Sequence, residues 1–311
     1  MNTLYFKYAV EVEQTRSITQ AAENLFMAQP NLSKAIKELE DSLGIIIFER
    51  NSKGVTPTKK GMEFLEYAKN ILVQLNKMEA LASEDNGQRQ YFNIAIPRGS
   101  YIADGFINFV SELDYKKEID INIKETNSME TISGICKNTF SFGIIRYQGS
   151  YETYFLDYLQ EKNLCYDLIW EFEYLALMSG KHPLAEEREL SQEKLAQYVE
   201  IVHGDTVVPY LSANESKRNE KSKAKKRIYV YERGSQFDML TYIPWTYMWV
   251  SPIPEKLLRR YDLVQRRCTV ANNKYKDILI YPKGYQFSEL DKKFIDKLYA
   301  SKNEVAFREY H

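Results

Sequence analysis

Between Ser17 and Gly44 two helical patterns follow one another with room for only a short turn between them, and this spacing constrains the chain more than any other feature. Ser17, with Gln20 three residues on, has the form of a capping box that opens a helix through Ala21, Ala22 and Leu25. The small side chains of Ala21 and Ala22 permit another helix to cross closely. Leu32, Ile36, Leu39 and Leu43 then line one face at helical spacing, and Gly44 stands where a left-handed residue would end the helix. Two helices joined this tightly form a helix-turn-helix. An amphipathic helix through Leu4, Tyr5, Tyr8, Ala9 and Val12 precedes the pair and is interrupted at Gln14 to Arg16. After it, Ile45 to Phe48 reads as a short strand, Asn51-Ser52-Lys53-Gly54 as a turn and Val55 as the start of a returning strand, which together make a wing.

The second helix of the pair opens with donors and acceptors on the side away from Leu32, Ile36 and Leu39. In a helix-turn-helix that helix enters the major groove N-terminus first, where Gln and Asn pair with adenine and Ser or Lys reaches base edges or phosphates. Its backbone N–H groups also suit a phosphate. The candidate DNA contacts are Ser17, Thr19, Gln29, Pro30, Asn31, Ser33, Lys34, Lys37, Arg50, Lys53 and Thr56. A solvated polar face would look the same in an isolated helix; the position within the motif, with Arg50 and Lys53 in the wing behind it, favours the groove.

Ser17-Ile18-Thr19-Gln20-Ala21-Ala22, Leu25, Gln29-Pro30, Leu32-Ser33, Ile36, Leu39-Glu40, Leu43-Gly44, Phe48-Glu49-Arg50 and Thr56-Pro57-Thr58-Lys59-Lys60-Gly61 resemble, in register, the DNA-binding domain of LysR-type transcriptional regulators. The resemblance implies a sequence-specific DNA-binding regulator that acts on double-stranded promoter DNA. Two positions depart from the family's pattern. Ala28 replaces the usual Ser or Thr, removing an N-cap worth about 1 kcal/mol. Lys34 stands where Arg is frequent and cannot make Arg's two-pronged bond to guanine.

From Thr58, a candidate N-cap, a helical pattern runs to about Ser83 with Phe64, Ala68, Ile71, Leu75, Met78 and Ala82 at spacings of three and four. A helix of ~26 residues spans about 39 Å and outruns a small winged domain, so the seam is expected to join two chains. The resemblance implies the same pairing, and commonly a tetramer built as a dimer of dimers. The expected division is residues 1–58 for the winged helix-turn-helix, 59–88 for the dimerising helix and hinge, and 89–311 for an effector-binding part.

That last part alternates strand, turn and helix. Ile94 and Ile96 share a strand face, Ile102, Phe106, Phe109 and Leu113 a helix face, and Ile119, Ile121 and Ile123 a second strand face; Asn127 or Ser128 is placed to cap a further helix, and Phe142 to Ile145 gives a third strand. Such an order predicts a parallel sheet with right-handed crossovers. The alternation returns at Leu175 to Met178, Gln192 to Gln197, Glu200 to Val202 and Ile228 to Tyr231, and ends with Ile278 to Tyr281 and a helix from Ser288 to Tyr299, so two α/β lobes are expected. The resemblance implies lobes like those of periplasmic binding proteins with a small-molecule effector between them. Parallel sheets take ligands at the carboxyl ends of their strands, which nominates Arg98, Gly99, Ser100 and Tyr101, then Thr126, Asn127 and Ser128, then His203 and Asp205; Arg98 suits an anionic effector.

Other classes fare worse. An α/β enzyme with a helical appendage would need a catalytic constellation, yet no P-loop, G-x-G-x-x-G, G-x-S-x-G or H-E-x-x-H is present, and His182, His203 and His311 are the only histidines. A redox sensor would rest on Cys136 or Cys165, neither beside a basic cluster. Together with Cys268 they form no C-x-x-C, so no metal site is indicated, and nothing calls for a cofactor. No stretch of 18 apolar residues spans a membrane and Lys7, Glu11 and Glu13 break any leader, so a cytoplasmic protein is expected. The Lys/Arg-rich run 214–227 reads as a solvated loop or helix end.

Overall fold

The computed structural model describes residues 2–51, 54–84, 89–98, 101–187, 190–204, 224–231, 235–269, 274–308 and 310. The chain divides into two compact units, Met1–Gln88 and Arg89–His311.

In the first unit, α1 (Leu4–Thr15), α2 (Ile18–Asn24) and α3 (Gln29–Leu43) surround a core of Phe6, Ala9, Val12, Ala21, Leu32 and Leu39. The buried face of α1 runs through Phe6 rather than Leu4, which is 43% exposed. Ser17 does cap α2, accepting from the Gln20 N–H at 3.3 Å, but the Gln20 side chain turns to Glu23 and Asn24, so the box is half closed. At Gly44 the backbone is left-handed, φ 66°, and ends α3 as its sequence position predicts. The wing is β1 (Phe48–Asn51) paired antiparallel with β2 (Gly54–Pro57). Ile45 to Ile47 stay outside the strand because Glu40 on α3 accepts the N–H groups of Ile47 and Phe48 at 2.7 and 3.0 Å.

Thr58 then caps α4 (Lys59–Glu84) through the Gly61 N–H at 2.9 Å. A Cβ on Gly61 would lie 2.0 Å from the Ile47 carbonyl oxygen, so only glycine lets α4 start against the wing. The expected dimer seam is corrected over its first half: Ala68 is fully buried in this unit's own core, and Phe64 packs edge-on against Phe6 with ring centroids 5.7 Å apart. Further along the same seam Ile71 and Met78 are exposed and Leu75 is half-buried, and Tyr67 beside them is exposed as well. The side chain of Ala82 lies outside the described residues.

The second unit has two lobes. In lobe 1, β3 (Arg89–Ile96), α5 (Tyr101–Ser111), β4 (Glu118–Glu125), α6 (Ser128–Cys136) and β5 (Phe142–Gln148) give the expected parallel pairings of β3 with β4 and with β5. The sheet is not wholly parallel, however. Its order is β4-β3-β5-β14-β6, where β14 (Lys274–Pro282), far away in sequence, runs antiparallel to both β5 and β6 (Leu164–Glu173). The helix α7 (Glu152–Glu161) and the final helix α11 (Glu289–Ala306) cover it, the latter opened by a closed capping box between Ser288 and Asp291.

Lobe 2 has strand order β10-β9-β11-β7-β12, made by β7 (Leu175–Ser179), β9 (Val199–His203), β10 (Lys226–Val230), β11 (Thr246–Val250) and β12 (Leu263–Arg266). Strands β9, β10 and β11 are mutually parallel, whereas β7 is antiparallel to β11 and β12. Helices α9 (Gln236–Tyr242) and α10 (Glu255–Tyr261) pack on it through Leu240 and Leu258. Short β8 (Leu190–Ser191) pairs with β13 (Cys268–Thr269), and α8 (Gln192–Leu195) follows β8. Tyr174, where β6 passes into β7, stacks on Tyr275 of β14 with centroids 3.7 Å apart and planes 8° from parallel.

Candidate nucleic-acid interface

The reading helix α3 has two distinct sides. Leu32, Ala35, Ile36 and Leu39 are buried, while Pro30, Asn31, Lys34 and Lys37 are exposed and Gln29 and Ser33 half-exposed. Pro30 occupies the first turn, where its missing N–H costs nothing. Ala28 is extended, with φ −71° and ψ 135°, and makes no side-chain cap, so the opening N–H groups of α3 lack the side-chain acceptor that a Ser or Thr there would supply. Ser17 and Thr19 mark the start of α2; Ser17's oxygen is spent on its cap and Thr19 is exposed.

A groove of about 510 Å³ separates α3 from the wing, lined among others by Ile18, Ser33, Lys37, Ile46 and Phe48. Ile46 is 64% exposed at its rim. Thr56 is half-buried on β2; Arg50 lies on β1 with its side chain outside the described residues, and Lys53 lies outside them altogether. The sequence reading missed Glu38. Its carboxylate accepts from the Tyr5 hydroxyl at 2.8 Å and stands 3.8 Å from Lys34, bringing a negative charge beside the reading face. The i, i+4 spacing of Lys34 and Glu38 was the available signal.

The nominated effector residues fare unevenly. The β3 and β4 ends do adjoin, the Thr126 N–H donating to the Ile96 carbonyl at 2.9 Å. Arg98 is half-buried in the turn after β3, and His203 half-buried at the end of β9. Gly99, Ser100 and Asp205 lie outside the described residues. Tyr101 is corrected to a core residue: it is fully buried and its hydroxyl donates to Asp277 at 2.7 Å. Thr126 is buried, Asn127 spends its side chain capping α6 through the Glu130 N–H, and the Ser128 hydroxyl donates to the Arg146 carbonyl at 2.7 Å. Asp277 also grips Arg146 by two bonds of 2.7 Å, with Phe172 beneath the guanidinium. Both charges are buried within lobe 1, where sequence gave no pairing signal across 131 residues.

No group of three or more His, Cys, Asp or Glu among the described residues is arranged to hold a metal ion, and no described helix is long and apolar enough to cross a membrane. Burial pushes the Cys136 thiol up and the Cys268 thiol up to about 11, which opposes the thiolate that a redox sensor needs.

Residues 5–62 match the sequence profile of the bacterial regulatory helix-turn-helix proteins of the lysR family. Over these residues the chain carries a helix-turn-helix of the lysR type. The chain is 45% identical over 73 residues to the HTH-type transcriptional regulator BsdA of Bacillus subtilis, covering 23% of this chain and 25% of that protein. It is 28% identical over 196 residues to CysB of Haemophilus influenzae, covering 62% of this chain and 58% of CysB. The matches thus span from about a quarter to about three-fifths of those two curated relatives. The fold matches full-length CbnR, solved in complex with its target DNA, with a TM-score of 0.65 over 97% of this chain and 100% of that one at 15% identity.

Proposed function

We propose that this protein is a transcriptional regulator that reads double-stranded promoter DNA through α3 and answers to a small molecule held between the lobes of its second unit. The observation that carries the reading is the two-sidedness of α3: Gln29, Asn31, Ser33, Lys34 and Lys37 stand opposite the buried Leu32, Ile36 and Leu39. With α3 in the major groove, the wing stands toward the neighbouring minor groove. The relatives' printed roles as transcriptional regulators support a regulator over an enzyme, and a DNA-binding role puts the protein in the cytoplasm.

The effector reading rests on the strand ends. In lobe 1 Arg98 follows β3, and in lobe 2 His203 ends β9 while Ser251 follows β11, all at carboxyl ends of parallel strands. An anionic molecule suits Arg98. Assembly into a dimer, and a tetramer of two such dimers, is proposed through the exposed Tyr67, Ile71 and Met78 of α4.

The test is promoter binding across a salt series. Gln29→Ala should relax preference at one base pair, losing about 1–3 kcal/mol of discrimination, whereas Lys37→Ala should weaken all sequences alike and flatten the salt slope by roughly 0.9. Unchanged affinity and selectivity in both variants would remove α3 from the groove.

A further inference from the structure

Asp104 and Lys256 meet from different lobes. Asp104 sits in the first turn of α5, on the core of lobe 1, and Lys256 in the first turn of α10, whose Leu258 belongs to the core of lobe 2. Their charged ends are 2.5 Å apart, and Lys256 Nζ also lies 3.4 Å from the Asn108 amide oxygen. Beside this pair Glu255 of α10 meets Arg308, just beyond α11 of lobe 1. Both helices follow strands, α5 after β3 and α10 after β11, so the contact lies on the carboxyl-end rims of the two sheets.

The two halves of the pair are built differently. Asp104 is 1% exposed and its Oδ2 accepts from Ser301 Oγ at 2.8 Å and from Asn108 Nδ2 at 3.1 Å, which leaves Oδ1 for the lysine. These two hydrogen bonds orient the carboxylate from lobe 1, and when Lys256 withdraws with lobe 2 its place at Oδ1 is taken by water. Lys256 has a side chain 54% exposed on a flexible stem, so its ammonium can return to water at little cost. The Arg146–Asp277 pair differs in place and in its cation: its side chains are 8% and 0% exposed, both partners belong to one lobe, and the pair therefore does not part when the lobes move.

We propose that Asp104 and Lys256 form a releasable latch that holds the lobes in one relative setting, in addition to the covalent crossings at Tyr174 and between β13 and β14. A receptor kept inside lobe 1 and a mobile cation on lobe 2 can part and re-form without unfolding either side, as a hinged pair of lobes requires. The inference concerns lobe motion and does not rest on a ligand being bound.

Spin labels at Ser133→Cys on α6 and Tyr242→Cys on α9, both exposed, report the interlobe distance in the full chain with Cys136 and Cys165 changed to Ser. Excess unlabelled chain keeps one labelled copy per assembly. The latched chain should give one narrow distance distribution. Lys256→Met should broaden it toward longer distances, Lys256→Glu should broaden it further, Lys256→Arg should restore it, and high salt should broaden only the latched forms. Amide exchange in the first turns of α5 and α10 should rise on the order of tenfold in Lys256→Met, with the near-ultraviolet circular dichroism unchanged. Distributions for Lys256→Met and Lys256→Glu that match the parent would overturn the latch.

Discussion

Ala28 is a position where a single side chain changes stability predictably. Its backbone already has the extended conformation of an N-cap, and its own side chain makes no cap bond to the opening turn of α3. Ala28→Ser should therefore stabilise the first unit by about 1 kcal/mol, read as a higher thermal midpoint. No change would mean that the hydroxyl fails to reach the N–H groups of the first turn. His182 makes a pH prediction. It is buried, its Nδ1 accepts from the Leu184 N–H at 3.0 Å, and burial lowers its pKa from 6.5 to about 4. Because the folded value is the lower one, the unfolded chain takes the proton first as pH falls. Stability is full above about 6.5 and is lost toward pH 4, by roughly 3 kcal/mol for this group. His182→Asn keeps an acceptor for Leu184 and should flatten that part of the profile in denaturant titrations; an unaltered slope would assign the acid sensitivity elsewhere.

At the scale of elements, α4 separates two stripes that a helical pattern alone confuses. Ala68 is buried in its own unit, whereas Ile71 and Met78 are 39% and 63% exposed. Ile71→Asp with Met78→Asp should reduce the assembly seen by light scattering while helix content holds; Ala68→Asp should unfold the winged unit instead, since an unpaired charge would enter its core. Equal assembly in the double variant would take this stripe out of the interface. The periodicity showed that a long helix was present, because period and cap are local. It could not show which stripe meets α1, because that depends on how Gly61 lets α4 start against Ile47. The same boundary between local and distant information runs through the second unit. The helix start at Asn127 was readable from capping chemistry, with Ser128 as its alternative. The insertion of β14 between β5 and β6, and with it the burial of Tyr101 on Asp277, depends on partners 176 residues apart, and the hydrophobic pattern of either strand is silent on that. The exposed side of α3 was legible because it lies within one helix; the effector nominations scattered because they needed positions that only the sheet order supplies.

For the whole molecule, the separate cores of the two units carry the last prediction. Among the described residues, the first unit's cluster draws on residues from Tyr5 to Leu72, and the clusters of the second unit draw on residues from Phe92 onward, with none shared. Each unit thus buries its own apolar surface and has its own reason to unfold cooperatively. Calorimetry of the full chain should then resolve two transitions. An anionic effector at 100 times its dissociation constant should stabilise only the second unit, by about 2.7 kcal/mol, since a ligand stabilises the state that binds it. Promoter DNA should raise only the transition of the first unit. Asp277→Asn, which leaves Arg146 buried without its counter-charge, should lower the transition of the second unit by about 3–5 kcal/mol and leave promoter affinity of the folded chain intact. If Asp277→Asn instead lowered both transitions together, the two units would be folding as one, and regulation would have to pass through a shared core rather than through the connection between independently folded units.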